Sequence, residues 1–150
     1  MDAITILKRC RAAQEDMEQL RRRIEQRRGI LDGMGAQQAD PGGNPARQRM
    51  AASMAQLEGS LAARRESYEA EKVAVCALID TVPSMEGQVL YDYYVRRWVT
   101  SEIARKENYT EGYVRKAKRN GERLLDMLTE AQVDRLLPPW YLKEKGGEEL

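Results

Sequence analysis

The chain contains no histidine, and its only two cysteines, Cys10 and Cys76, stand far apart with no Cys-x-x-Cys pair between them. Those absences leave no tetrahedral metal set. No phosphate-binding glycine loop is present either, so no nucleophile or general base can be named; neither an enzyme nor a cofactor is expected. The cysteines read as small apolar fillers in a reducing compartment. No stretch approaches the ~20 apolar residues of a membrane span, and the N-terminus lacks a signal-peptide h-region. These features predict a cytoplasmic protein with no membrane partner.

A strand pattern is also missing, because no run alternates apolar and polar residues, and the expected class is all α. With 150 residues there is room for one modest core and one or two small domains. From Ala3 to about Arg28, Ile4, Leu7, Cys10, Met17, Leu20, Ile24 and Leu31 recur mostly at three-, four- and seven-residue steps, predicting an amphipathic helix. Gly29, Gly33, Gly35 and "DPGGNP" should end it in a flexible connector over about 29–45. A second helix is expected from Pro45 to Val82, with Met50, Met54, Leu57, Leu61, Tyr68, Val75, Leu78, Ile79 and Val82 on one stripe and Pro83 as its stop. At ~1.5 Å per residue the two would be about 40 and 55 Å long, too long for either to bury its stripe alone. The reading is an antiparallel, coiled-coil-like hairpin over 1–83, with a homodimer through these helices and Arg64 snorkelling from the seam.

A formal net charge of +1 conceals a local excess. Between Arg96 and Arg123 nine cations face four carboxylates, a net +5, and beyond that segment acidic residues dominate. A third helix is expected from about Met85 to Arg97, capped by Ser84, with Val89, Leu90, Tyr93 and Tyr94 inward; Trp98 and the tyrosines 91, 93 and 94 are assigned to packing. The segment "EIARKENYTEGYVRKAKR" then reads as two short helices, Thr100 to Lys106 and Glu111 onward, around a tight turn. Ile103, Ala104, Val114 and Ala117 would face inward, Asn108 would take the left-handed turn position, and Thr110 would cap the following helix through the amide of Gly112 or Tyr113. Gly112 is either a place for close DNA approach or a tolerated defect, and Gly121 should let the fifth helix pass near the third. "TEAQ" is a capping box, and 138–150, from "PPWYL" on, is expected as a solvated tail.

Residues Gly87 to Leu125, "GQVLYDYYVRRWVTSEIARKENYTEGYVRKAKRNGERLL", resemble the helix-turn-helix of sigma factor region four, as found in small bacteriophage transcriptional regulators. In that family "VL..YYV" precedes "EIA", and "NYS" opens the recognition helix. Val89, Leu90, Tyr93, Tyr94 and Val95, then Glu102, Ile103 and Ala104, then Asn108, Tyr109 and Thr110 stand in those places. The resemblance implies a DNA-binding domain over 84–137 whose motif core is Leu90, Tyr94, Ile103, Ala104, Tyr109, Val114 and Ala117. It implies promoter DNA as partner, leaves contact with RNA polymerase open, and carries over Thr110, Glu111, Arg115, Lys116 and Arg119 as base readers. Of these, Arg115 suits guanine, whose two acceptors a guanidinium can meet in one plane. Arg96, Arg97, Arg105, Lys106, Gly112, Tyr113, Lys118 and Arg123 are the expected phosphate contacts. Glu107 departs from the pattern, standing where the family buries leucine or methionine; it should reach the surface or pair with Arg97 or Arg115.

The resulting expectation is a sequence-specific, double-stranded DNA-binding transcriptional regulator of phage or prophage genes that reads the major groove with the helix 111–125. Two alternatives use the same features. A small terminase-type DNA-packaging subunit would form a ring of many copies, and a helical adaptor would turn its basic segment to an acidic protein and ignore duplex DNA.

Overall fold

The computed structural model describes residues 1–35 and 45–148, and all regular structure among them is helical. Helix α1 spans Ala3–Gly35 and α2 Pro45–Ile79. After Pro83 come α3 (Ser84–Leu90), continued by a π-helical turn (Tyr91–Val95), α4 (Thr100–Glu107), α5 (Glu111–Asp126), α6 (Glu130–Leu136) and α7 (Pro139–Glu148). No described helix is long and apolar enough to cross a membrane.

Helix α1 does not stop at Gly29 but runs through Gly29 and Gly33 to Gly35. Each glycine costs about 1 kcal/mol relative to alanine in a helix. Leu31, only 8% exposed, offsets much of that with a burial worth roughly 1.5–3 kcal/mol. Of the expected connector, 36–44 fall outside the described residues. At the other boundary α2 ends at Ile79, three residues before the expected Val82, although Val82 is itself buried.

Contacts divide the chain into two units, one formed by Met1–Gln14 with Tyr68–Leu150, the other by Glu15–Ser67. The first holds a core of Ile6, Leu7 and Cys10 from α1, Val75 and Leu78 from α2, Leu90, Tyr94, Leu125, Val133 and Tyr141. Residue 83 is therefore not a packing boundary: α1 and α2 residues share a core with residues as late as Tyr141. The tail expectation also needs correction. Residues 139–145 are helical, Tyr141 is fully buried, and its hydroxyl donates to Glu71 Oε2 at 2.6 Å. Arg9 and Lys145 each stand 3.6 Å from Glu71 Oε1, so this buried carboxylate is matched by two cations and a phenol. Pro138 and Pro139 do not end the ordered chain, because proline is compatible with the first turn of α7. Burial pushes the Cys10 thiol up to about 12, leaving it an inert packing group.

Among the described residues of the unit Glu15–Ser67 the buried apolar ones are Met17, Ile24 and Leu31, all from α1. Every buried residue of α2 lies at Glu71 or beyond, and Met50, Met54, Leu57 and Leu61 are half-buried. Arg27 Nε donates to Ser53 Oγ at 2.9 Å and Arg28 stands 3.7 Å from Glu58, polar contacts at exposed or partly exposed positions. Arg64 is exposed.

Candidate nucleic-acid interface

The basic segment rests on a small second core of Val89, Ile103, Ala104, Val114 and Ala117, with Tyr93 and Trp98 packed at its edge. Close approach of α3 and α5 depends on Gly121. A Cβ there would lie 2.8 Å from Leu90 Cδ1 and 3.3 Å from Glu86 Cβ, so a larger residue would force the helices apart. At Gly112, by contrast, a Cβ would meet nothing within 4 Å.

Between α4 and α5, Asn108 takes φ 64° and ψ 40°, the left-handed conformation that asparagine tolerates better than most residues. The Ala104 carbonyl accepts from the amides of Asn108 and Tyr109, satisfying a helix-end acceptor. Thr110 Oγ1 then accepts from the Tyr113 amide at 3.1 Å and begins α5. The chain is turned within three residues, and Val114 and Ala117 face the small core.

Thr110, Glu111, Arg115, Lys116 and Arg119, the expected base readers, are all exposed. They follow one another along the side of α5 opposite Val114 and Ala117. Arg115 Nη1 lies 3.4 Å from Glu111 Oε2, one turn earlier, with both side chains more than half exposed. Such a pair is worth little and can be exchanged for another anion.

The expected phosphate contacts sort less uniformly. Arg105, Lys106, Gly112, Tyr113 and Arg123 are exposed, Arg97 is half-buried, and Lys118 is half-buried with its ammonium 3.0 Å from Glu122. Arg96 is exposed, yet its guanidinium stands 3.3 Å from the buried Asp92 carboxylate and 4.7 Å from the Trp98 ring centroid. It is held by two neighbours before any ligand arrives. Lys106 lies 3.9 Å from the centroid of the same Trp98 ring.

Leu90, Tyr94, Ile103, Ala104, Val114 and Ala117 of the expected motif core are buried, but Tyr109 is not. It is 37% exposed, its ring 4.7 Å from Tyr113 and its hydroxyl 3.5 Å from Met85 Sδ. The left-handed Asn108 turns the chain outward at this point, and Tyr109 goes with it.

Asp92 is the feature that spacing does not disclose. The π-helical turn, marked by the Arg96 amide donating to the Tyr91 carbonyl at 3.1 Å, adds a residue to the turn and moves Asp92 inward to zero exposure. Arg97 then adopts φ 60°, and the Trp98 amide donates to the Asp92 carbonyl at 2.9 Å, reversing the chain into α4. Gln88 Nε2 donates to Asp92 Oδ1 at 3.0 Å, while Oδ2 meets no donor among the described residues. Burial pushes this carboxyl up to about 6; Gln88 and Arg96 pull it down, and the neighbouring Glu107 carboxylate pushes it up. Once protonated, Asp92 can donate to Glu107. Glu107 is half-buried rather than wholly at the surface, and its carboxylate bears on that of Asp92. Arg115 pairs with Glu111.

No protein-family model matches the chain, and no similar curated protein or solved structure was found. Among the described residues no cluster of metal-ligating side chains occurs.

Beside α5 the structure also opens a cleft of about 560 Å³, walled by Tyr93, Val99, Thr100, Arg115, Lys118 and Arg119, to which α1 contributes Arg11. Tyr93 was expected only as packing, and Arg11 was not expected at the site. No local spacing could have named Arg11, because it reaches the Tyr93 carbonyl across 82 residues of sequence.

Proposed function

We propose that the chain is a sequence-specific, double-stranded DNA-binding regulator of transcription, of the kind carried by phages and prophages, and that α4, the Asn108 turn and α5 work as a helix-turn-helix. The observation that carries this reading is the turn itself. A left-handed Asn108, a Thr110 cap and an inward row of Ile103, Ala104, Val114 and Ala117 leave Thr110, Glu111, Arg115, Lys116 and Arg119 together on the exposed side of α5. A helix so presented suits the major groove, where Arg115 can bond the O6 and N7 acceptors of guanine and neighbouring lysines can neutralise phosphates. The exposed ion pair with Glu111 is weak enough for a base to replace the carboxylate at Arg115.

In this reading α1 and α2 pair as an antiparallel hairpin, and a second copy of the chain packs on the half-buried Met50, Met54, Leu57 and Leu61. Two copies would read symmetric half-sites about one helical turn apart.

The test is selection from a randomised duplex library at moderate salt, with full-length protein and an Arg115→Ala control. The expected result is an enriched motif that flattens in the variant, at a cost of ~1–3 kcal/mol for the preferred base. Retention without enrichment, or an equal loss of affinity for every sequence, would remove Arg115 as a reader. No retention even at low salt would end the DNA reading.

A further inference from the structure

The cleft beside α5 gathers charge of one sign from two distant parts of the sequence. Arg11, Arg115, Lys118 and Arg119 line it, and among the described residues no acidic one does. Tyr93 fixes two of these cations: the Arg11 guanidinium carbon lies 3.9 Å and the Lys118 ammonium 4.4 Å from its ring centroid. The Tyr93 carbonyl accepts from Arg11 Nη1 as well, so the α1 cation is anchored by both the ring and the backbone of one residue. On α5, Arg115, Lys118 and Arg119 are three and four residues apart and therefore share a face. Glu111 and Glu122 pair with Arg115 and Lys118, yet both carboxylates sit outside the cleft lining. Arg119 makes no ion pair among the described residues. Val99, 47% exposed, and Thr100, the first residue of α4, complete the rim; the Val99 amide at the start of α4 donates to Glu102 Oε1 at 3.4 Å.

Holding like charges around an open cavity is unfavourable unless an anion enters it. Guanidinium groups bond the oxygens of phosphate in a planar, bidentate manner, and three of them around one cleft suit a multiply charged oxyanion. We propose that this cleft is a phosphate-binding site built jointly by Arg11 of α1 and by Lys118 and Arg119 of α5, with Arg115 at its rim. The phosphate comes either from the backbone of a duplex, in which case the proposal rests on the DNA reading above and makes α1 part of the DNA-contacting surface, or from a free nucleotide. The volume is ample for either a phosphodiester or a small phosphorylated ligand.

The full-length protein is titrated with inorganic tripolyphosphate and with ATP, and separately with a mixed-sequence duplex over a range of salt. Arg11→Gln and Arg119→Gln are compared with Lys143→Gln, an exposed cation away from the cleft. Saturable binding of tripolyphosphate is expected, weakened about five- to tenfold by either cleft variant and unchanged by Lys143→Gln. If the duplex is the source, tripolyphosphate displaces it, and Arg11→Gln lowers the slope of log K against log salt by about 0.9. If a free nucleotide is the source, ATP binds more tightly than tripolyphosphate and the duplex slope does not respond to Arg11. The proposal is overturned by polyphosphate and ATP affinities insensitive to both cleft variants together with an unchanged duplex slope. Arg119 is exposed, so its variant keeps the test decisive if Arg11→Gln fails to fold. Loss of duplex binding with tripolyphosphate binding intact would sink the DNA reading alone, and the reverse pattern would sink the cleft alone.

Discussion

The two units of the chain use the same helices, α1 and α2, to opposite ends. In Met1–Gln14 with Tyr68–Leu150, Ile6, Leu7, Cys10, Val75 and Leu78 have no exposure at all, and the buried Glu71 has a full set of partners. In Glu15–Ser67, α2 buries nothing completely, and contacts such as Arg28 with Glu58 lie in solvent, where they contribute little. The difference teaches that one continuous heptad-like stripe can be core over part of its length and only half-buried over the rest. What decides is whether later elements, here α3 to α7, supply the opposing apolar surface.

The widest separation between the units should appear on truncating a leucine in each. Leu78→Ala removes a side chain with no exposure from a packed core, and a loss of about 3–4 kcal/mol is expected. Leu57→Ala, at a half-buried position of the same helix, should cost about 1 kcal/mol or less in a monomer. Urea unfolding at low protein concentration checks both. A Leu57 cost that grows with protein concentration would mark that surface as an interface between copies, because dimerisation adds to stability by mass action. Equal costs at all concentrations would remove the contrast.

A second asymmetry is in pH response, since only the larger unit contains the buried Asp92. Its carboxyl is raised from 3.8 to about 6 in the folded chain, so the fold binds a proton more tightly than the unfolded chain does. The contribution is therefore fully present below about pH 4 and is lost as pH rises to about 6, on the order of 2–3 kcal/mol in total. The faced groups are Gln88, Arg96 and Glu107, and protonation replaces a carboxylate-carboxylate contact with a hydrogen bond to Glu107. Asp92→Asn should flatten this part of the stability profile between pH 4 and pH 6, measured by thermal or urea unfolding. A variant whose profile retains the wild-type slope there would show that another group carries it.

The helices were legible because periodicity and punctuation act locally. Pro83, Thr110 and the Thr129 to Gln132 capping box mark helix starts through groups only a few residues apart, whereas Ser84, expected as a cap, is the first residue of α3, which begins with no side-chain cap; Ile103 with Ala104, and Val114 with Ala117, each follow from the period of their own helix. The exposed side of α5 was legible for the same reason. What escaped depends on partners distant in sequence or on a change of phase. Tyr141 lies in a stretch that reads as an ending because of its prolines, and only Glu71, 70 residues earlier, explains its burial. Asp92 lies inward because a π-helical turn shifts the face by one residue, which no regular 3.6-residue pattern anticipates. Arg11 reads as one more cation on the wet face of a helix until Tyr93 is placed beside it. Tyr109 reads as core by resemblance, yet the left-handed residue before it points it outward.

The smallest effect tests the comparison at its least disruptive point, with a single methyl group added in each unit. Gly59 lies inside α2 with open space where its Cβ would be, so Gly59→Ala removes only the backbone freedom of the unfolded chain. A gain of about 0.5–1 kcal/mol is expected. Gly121 is equally helical, but its Cβ would stand 2.8 Å from Leu90 Cδ1 and 3.3 Å from Glu86 Cβ. There the same methyl must displace a fully buried leucine, and Gly121→Ala should lose about 1–3 kcal/mol despite the identical gain in helix propensity. Opposite signs in parallel urea titrations would show that packing decides the outcome in one unit and propensity in the other. A Gly59→Ala loss comparable with that at Gly121 would mean that a neighbour, most simply a second copy of the chain, already occupies the space beside α2.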